Sequence, residues 1–161
     1  MSRSDAAQAL VDRWLARLIG LRAWAPFVGV GSFITIEFGN PRLNSVGISQ
    51  GEFHLWVYGA SWELRERTRV ITSSTDDLAG MLDGVRILED AFVWGAEFDR
   101  NRMALGFRFA GDVDLSITPL GDPDMEEWLL FLGDGSVITA GPGKAVAHES
   151  ASDFRQLLNG Q

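Results

Sequence analysis

The chain has 161 residues, a formal net charge of −8, no cysteine, and 46% apolar residues that include six Trp and ten Phe. This length and apolar content predict a single domain over residues 1–161 with its own core. Acidic and basic residues are interspersed, so the sequence lacks the basic stripe that nucleic acid or an anionic membrane would require. A partner protein with a basic surface is more compatible with the acidic charge. The lack of cysteine excludes disulfides and thiolate metal sites.

The N-terminal segment is unlike a secretory signal. Asp12, Arg13 and Arg17 interrupt its apolar residues, whereas a signal peptide has an uninterrupted apolar stretch. No other stretch of the sequence is apolar over the length of a membrane span. These features predict a cytoplasmic protein.

An amphipathic helix is predicted over residues 4–19, because apolar residues recur with the period of a helical face. Ser4 is the expected N-cap and Gly20 the expected end. The apolar positions of this helix are Ala7, Leu10, Val11, Trp14, Leu15 and Leu18.

Beyond Gly20 the sequence alternates with a period of two between Gly, Pro and Asn residues, which is typical of strands and turns. A short helix capped by Thr75 is predicted over residues 76–82, an Asp83-Gly84 turn follows it, and a C-terminal helix is predicted over 152–159. Residues 40–51 are predicted to form a loop. Short connections favour antiparallel pairing, so the predicted fold class is α+β with a mostly antiparallel sheet and helices at both ends. The predicted strands cover residues 21–24, 27–30, 32–38, 52–58, 61–64, 70–72, 85–98 (one bent strand or two), 102–109, 113–118, 125–132, 136–140 and 144–148.

The two halves of the chain share five short patterns in the same order. They predict an internal duplication of residues 7–74 and 75–141, each a helix followed by a β-meander, forming one continuous sheet or a two-sheet barrel. Chance similarity between alternating strands is the alternative. The five pairs are 18–22 with 82–86, 34–39 with 105–111, 55–57 with 115–117, 62–64 with 128–130, and 70–72 with 137–139.

One strand differs from its counterpart in the other half. The apolar residues Phe53, Leu55 and Val57 are predicted to point inward, which leaves His54, Trp56 and Tyr58 on the opposite face. The corresponding residues of the second half are Asp114, Ser116 and Thr118, an ordinary solvent face. Three successive ring side chains favour a binding surface. Alternatively, the N-terminal helix or the loop 40–51 covers them as a second core layer.

The sequence contains no recognisable catalytic, cofactor or metal motif. His54 and His148 are the two histidines, too few for a histidine-rich metal site, and both are interpreted as structural. No serine lies in a GxSxG motif, and the stretch from Gly141 to Lys144 lacks the first glycine and the Ser or Thr of a phosphate loop. Residues 122–127 are interpreted as an acidic surface loop. A non-enzymatic protein is therefore favoured, although a catalytic site assembled across the fold is left open.

The stretch GEFHLWVYGASWEL, the residues 72–77, and Glu127-Trp128 followed by GPG give the chain a resemblance to small uncharacterised bacterial proteins. In size and acidity it is also similar to the immunity proteins of bacterial toxin systems. This resemblance implies a non-catalytic inhibitor that binds a basic toxin domain. Two alternatives are a homodimer formed through the aromatic face and a carrier of small apolar ligands. The carrier would hold its ligand in a cavity lined by Phe38, Leu55, Phe107 and Phe109.

Overall fold

The computed structural model describes residues 2–43 and 47–151. Within these ranges the chain forms two α-helices and thirteen strands. They are α1 (Arg3–Ala16), β1 (Ala23–Val28), β2 (Ile34–Phe38), β3 (Arg42–Leu43), β4 (Ser49–Gln50), β5 (Phe53–Val57), β6 (Ala60–Glu66), β7 (Arg69–Ser73), α2 (Leu78–Val85), β8 (Val93–Asp99), β9 (Ala104–Phe109), β10 (Val113–Pro119), β11 (Trp128–Phe131), β12 (Ser136–Ala140) and β13 (Val146–Ser150).

The strands pair antiparallel in two large sheets and one small hairpin. The six-stranded sheet has the order β1-β2-β5-β11-β12-β13, the five-stranded sheet has the order β7-β6-β10-β9-β8, and β3 pairs with β4. The predicted α+β class with mostly antiparallel pairing is confirmed. One continuous sheet and a barrel are not confirmed, because the strands divide between two sheets, each with two edge strands. The predicted C-terminal helix over 152–159 lies outside the described residues.

Each large sheet combines strands from both halves of the chain. β1, β2 and β5 of the first half lie beside β11 and β12 of the second, and β8, β9 and β10 of the second half lie beside β6 and β7 of the first. The helices follow the same exchange, because α1 contacts β8 and α2 contacts β1. The domain therefore cannot be divided between the halves without breaking both sheets.

Hydrogen bonds where the halves meet occur in matching pairs. The N–H of Gly20 donates to the carbonyl of Val93, and the N–H of Asp90 donates to the carbonyl of Ala23, both at 2.8 Å. Gly20 and Asp90 both have positive φ, 86° and 66°. These contacts match Gly20 with Asp90, whereas the sequence comparison matches Gly20 with Gly84.

The buried tryptophans of the two sheets make a second matching pair of contacts. Trp62 Nε1 donates to the carbonyl of Ser32 at 2.8 Å, and Trp128 Nε1 donates to the carbonyl of Met103 at 3.0 Å. Ser32 and Met103 precede β2 and β9, and both adopt the left-handed conformation with φ of 62° and 56°. Each indole thus satisfies a carbonyl at a strained residue in front of a central strand.

The helix starts differ from the sequence predictions. α1 begins two residues earlier than expected, because Ser2 rather than Ser4 is its N-cap and forms a capping box with Asp5. α2 is capped by Asp77 rather than Thr75, with Asp77 Oδ1 accepting from the Gly80 N–H at 2.7 Å. An aspartate here also complements the positive end of the helix dipole, so it is the better cap on both grounds.

The segment 83–92 was predicted incorrectly. Asp83 and Gly84 lie inside α2 rather than in a turn, a 3-10 turn over Arg86–Leu88 follows, and the strand begins only at Val93. Gly84 lacks a side chain where α2 approaches β7, since a Cβ there would lie 2.4 Å from Thr72 Cγ2. The glycine therefore marks close packing of helix on strand rather than a chain reversal.

The core lies between the two large sheets and is filled by aromatic rings. Phe38 of β2 stacks on Phe107 of β9 with centroids 5.8 Å apart, and Phe107 lies 6.4 Å from Phe109. Trp62 and Trp128 are also fully buried there. None of the helices formed by residues 2–43 and 47–151 is long and apolar enough to span a membrane.

Candidate functional site

The surface predicted from β5 lies on the outer face of the six-stranded sheet, the face opposite the core. The residues of β5 alternate between buried and half-buried, as the sequence predicted. Strand register places His54 between Glu37 of β2 and Phe131 of β11. Trp56, two residues further along β5 on the same face, lies opposite Leu129 of β11. The three predicted residues thus share one side of the sheet, with neighbours that the sequence did not identify.

His54 connects a buried carboxylate to an indole. Its Nδ1 contacts the carboxylate of Glu37, and its Nε2 contacts Nε1 of Trp56. An indole N–H can only donate, so Nε2 must be the unprotonated acceptor and Nδ1 carries the proton that is donated to Glu37. Both ring nitrogens are therefore engaged in hydrogen bonds within the sheet. This geometry agrees with the interpretation of His54 as a hydrogen-bonded structural histidine.

Aromatic rings continue from this histidine to the end of the sheet. Phe131 lies 5.7 Å from His54 and 5.2 Å from Trp56, and Phe33 lies 5.7 Å from Trp56 and 5.3 Å from Tyr58, all between ring centroids. Most of these contacts are edge to face, the geometry that aromatic quadrupoles favour. The five rings form one connected row.

Burial changes along this row. Leu129 and Val137 are buried although they lie away from the core, and Trp56, Phe131 and Ala151 pack against them. At the other end Tyr58 is 50% exposed. The middle of the outer face is therefore a small second core layer, and only the end near Tyr58 offers rings to a partner.

That exposed end is a group of residues that we call the aromatic patch: Phe27, Val30, Phe33 and Tyr58. Phe27, near the end of β1, is 58% exposed, and Val30, at the tip between β1 and β2, is 99% exposed. Phe33 holds the patch together, since its ring contacts Tyr58 and its carbonyl accepts the N–H of Gly29 at 2.7 Å. Sequence reasoning identified Tyr58 but not the tip residues, because strand pairing brings them together.

An acidic segment borders the aromatic patch. We call residues 120–126 the acidic loop; it carries Asp122, Asp124 and Glu126. The N–H of Gly59 donates to the carbonyl of Glu126 at 2.9 Å, directly beside Tyr58. A Cβ at Gly59 would lie 2.7 Å from that carbonyl, so glycine permits the close approach. The backbone of the acidic loop thus lies directly beside that of Tyr58 and Gly59.

A serine, a histidine and an aspartate meet at the hairpin between β11 and β12. Ser136 Oγ lies 2.8 Å from His148 Nε2 and also contacts Asp134 Oδ1. The hydrogen bond from Ser136 lowers the pKa of Asp134, which keeps that carboxylate ionised and able only to accept. The single hydroxyl proton therefore points to Asp134, and His148 donates to the hydroxyl. A serine nucleophile needs the opposite direction, so this group stabilises the turn.

Glu127 does not lie on the surface, contrary to the prediction for residues 122–127. Its exposure is 3%, and burial raises the pKa of its carboxyl group. Gly141 packs directly on it, since a Cβ there would lie 2.9 Å from Glu127 Cγ. Residues 2–43 and 47–151 contain no group of three or more His, Cys, Asp or Glu side chains that could hold a metal ion.

Comparison with known proteins found no match to a family model, a curated protein or a solved structure. The resemblance to small bacterial proteins and to immunity proteins therefore stays a prediction.

Proposed function

We propose that this protein is a non-catalytic binding protein that docks a basic partner protein against its aromatic patch and acidic loop. The observation that carries the proposal is the backbone contact between Gly59 and Glu126, which places the exposed Tyr58 next to a loop that carries three acidic residues. Aromatic side chains are enriched in interface cores, and a charged rim steers association with an oppositely charged partner. The net charge of −8 supports the same choice of partner.

Within this class, an immunity-type inhibitor of a basic toxin domain is the specific function that we propose. Such an inhibitor works by occupying a surface, so it needs a rigid exposed patch and no catalytic group of its own. Phe33 makes ring contacts with both Trp56 and Tyr58, which preorganises the patch and reduces the entropy lost on binding.

The carrier alternative is less well supported by the packing. Phe38 and Leu55 are fully buried, and Phe38 stacks directly on Phe107. Those side chains occupy the space between the sheets in which a ligand would have to lie. Binding at the surface therefore agrees better with the arrangement of the rings.

We also propose that the halves 7–74 and 75–141 arose by duplication. The exchanged strand order of the two sheets supports this, as do the matching indole contacts of Trp62 and Trp128. On this interpretation both halves supply the scaffold, and the aromatic patch is a later specialisation of one of them.

The test is capture of a partner from native cell extract with the wild-type chain and two variants. Phe27→Ala combined with Tyr58→Ala removes the two half-exposed rings of the patch. Trp94→Ala is the matched control, because Trp94 is a 70% exposed ring on β8 of the other sheet. Thermal melts establish that each variant is folded.

We expect a basic protein that the wild type and Trp94→Ala retain and the double variant loses. Its association rate should fall as salt increases and after Asp124→Asn, because screening or removing charge weakens steering. Retention by the double variant, or equal loss with Trp94→Ala, would contradict the assignment of this surface. Sedimentation of the purified chain tests the homodimer alternative, which predicts a dimer that the double variant dissociates.

A further inference from the structure

A cleft on the far side of the acidic loop carries the strongest sign of an unassigned ligand. Glu127 forms part of its wall, and Glu127 Oε2 is buried without a hydrogen-bond partner among the described residues. Leaving a buried carboxylate oxygen unpaired is costly, and native structures seldom do so without a reason. A bound donor would remove that cost.

The cleft has the size and lining of a small-molecule site. Its volume is about 290 Å³, close to the lower limit of about 300 Å³ for ligand pockets. Met103, Pro119 and Leu120 supply apolar wall, and Met103 is itself buried. The cleft therefore pairs one buried acid with an apolar surface.

Two basic residues also line the cleft. Arg102 and Lys144 are both exposed, and neither forms a salt bridge within residues 2–43 and 47–151. A simple cation entering the cleft would be repelled by these side chains, and a simple anion would meet Glu127. A ligand carrying both charges satisfies the acid and the bases together.

We propose that this cleft binds a small zwitterion, an α-amino acid with an apolar side chain. Its ammonium group donates to Glu127, its carboxylate pairs with Arg102 and Lys144, and its side chain lies against Met103 and Leu120. This site does not include the aromatic patch and shares only Leu120 and Gly121 with the acidic loop, so it extends the function proposed above and does not depend on it.

The direct test is titration of the whole chain with three matched compounds, followed by backbone amide chemical shifts in two-dimensional NMR. L-leucine carries both charges, 3-methylbutylamine keeps only the ammonium group, and 4-methylpentanoate keeps only the carboxylate. We expect saturable shifts at Leu120 and Gly143 with L-leucine at millimolar concentration or below. Each single-charge compound should bind at least about tenfold more weakly.

Two variants with the same change of charge separate binding from fold. Glu127→Gln keeps the shape of the side chain and should weaken L-leucine at least about tenfold, whereas Glu126→Gln on the adjacent acidic loop should leave affinity unchanged. Arg102→Ala with Lys144→Ala should abolish the preference for L-leucine over the amine.

Absence of saturable shifts with L-leucine would overturn the proposal. Equal affinity of the amine and the amino acid would overturn the role of the two basic residues, and undiminished binding by Glu127→Gln would overturn the role of the carboxylate. In the free protein, a contact from the Lys144 ammonium to Glu127 would also count against it, because the lysine would then be the missing donor.

Discussion

The outer faces of the two large sheets differ although their inner faces are alike. β5 and β10 each stand third in the strand order of their sheet. In both strands buried residues alternate with more exposed ones, and Leu55 and Leu115 are both fully buried. On the outside, Glu37 pairs across strands with His54, where the other sheet pairs Arg108 with Asp114. The first pair is largely buried, while the second lies on a polar surface.

The difference shows which parts of the pattern are constrained by folding. Inner positions must fill the space between the sheets, so both halves keep apolar residues there. Outer positions do not have to fill that space, so their residues are free to differ. One sheet carries rings there, and the other carries small or charged residues. The aromatic patch is the exposed end of the row of rings by which the outer face of the six-stranded sheet differs from that of the five-stranded sheet.

The largest expected effect is that of His54→Ala. It removes the donor to the carboxylate of Glu37, which is only 6% exposed, and the acceptor of the Trp56 indole. We expect a loss of about 2 to 3 kcal/mol in the free energy of unfolding, measured by urea denaturation. Asp114→Ala, the equivalent change in the other sheet, should cost less than about 0.5 kcal/mol.

A double variant distinguishes the effect of leaving the Glu37 carboxylate unpaired from a simple loss of packing around His54. His54→Ala combined with Glu37→Ala should cost less than the sum of the single variants, since the orphaned carboxylate is then gone. Strict additivity would mean that the histidine stabilises the sheet by packing alone.

The next effect in size is that of Trp56→Ala. Its ring contacts Phe33 and Phe131 and packs on Leu129. Because the side chain is only half-buried, we expect a loss of about 2 kcal/mol rather than the larger cost of a core tryptophan. Ser116→Ala at the equivalent position should be nearly neutral. Equal effects at the two positions, in thermal or urea melts, would contradict the view that one outer face is a second core layer.

The smallest effect has the opposite sign and depends on pH. Burial raises the pKa of Glu127 above its ordinary value of 4.5, so the stability contributed by its protonated form is fully present below that value and is lost as pH rises through the folded pKa. Glu127→Gln cannot ionise, and we expect it to gain about 1 kcal/mol near pH 7 without ligand. The gain should disappear near about pH 4 in thermal melts. A constant difference across this range would show that charge is not the cause.

The face of β5 was predictable because it depends on local alternation. Successive residues of a strand point to opposite sides, so the positions of His54, Trp56 and Tyr58 follow from the residues around them. Their exposure was not predictable. It depends on Phe131 and Leu129 of β11, which are far away in the chain and become neighbours only through strand pairing.

The helix caps and the burial of Glu127 also depend on contacts that the sequence does not show. Ser2 and Ser4, or Thr75 and Asp77, are almost equivalent candidates in sequence, and the choice depends on where packing lets the first turn begin. Glu126 and Glu127 look like two surface acids. Only the contact of β11 with the chain around Gly141 buries one of them.

The α+β class, the antiparallel pairing and the inward pattern of β5 could be predicted from the sequence, because they follow from the period of apolar residues and from short connections. Three properties depend on the folded chain: the exchange of strands between the halves, the covering of the outer face and the burial of Glu127. Those properties arise from contacts between residues distant in the chain, and the burial of a side chain is a property of its neighbours in space rather than of its own identity.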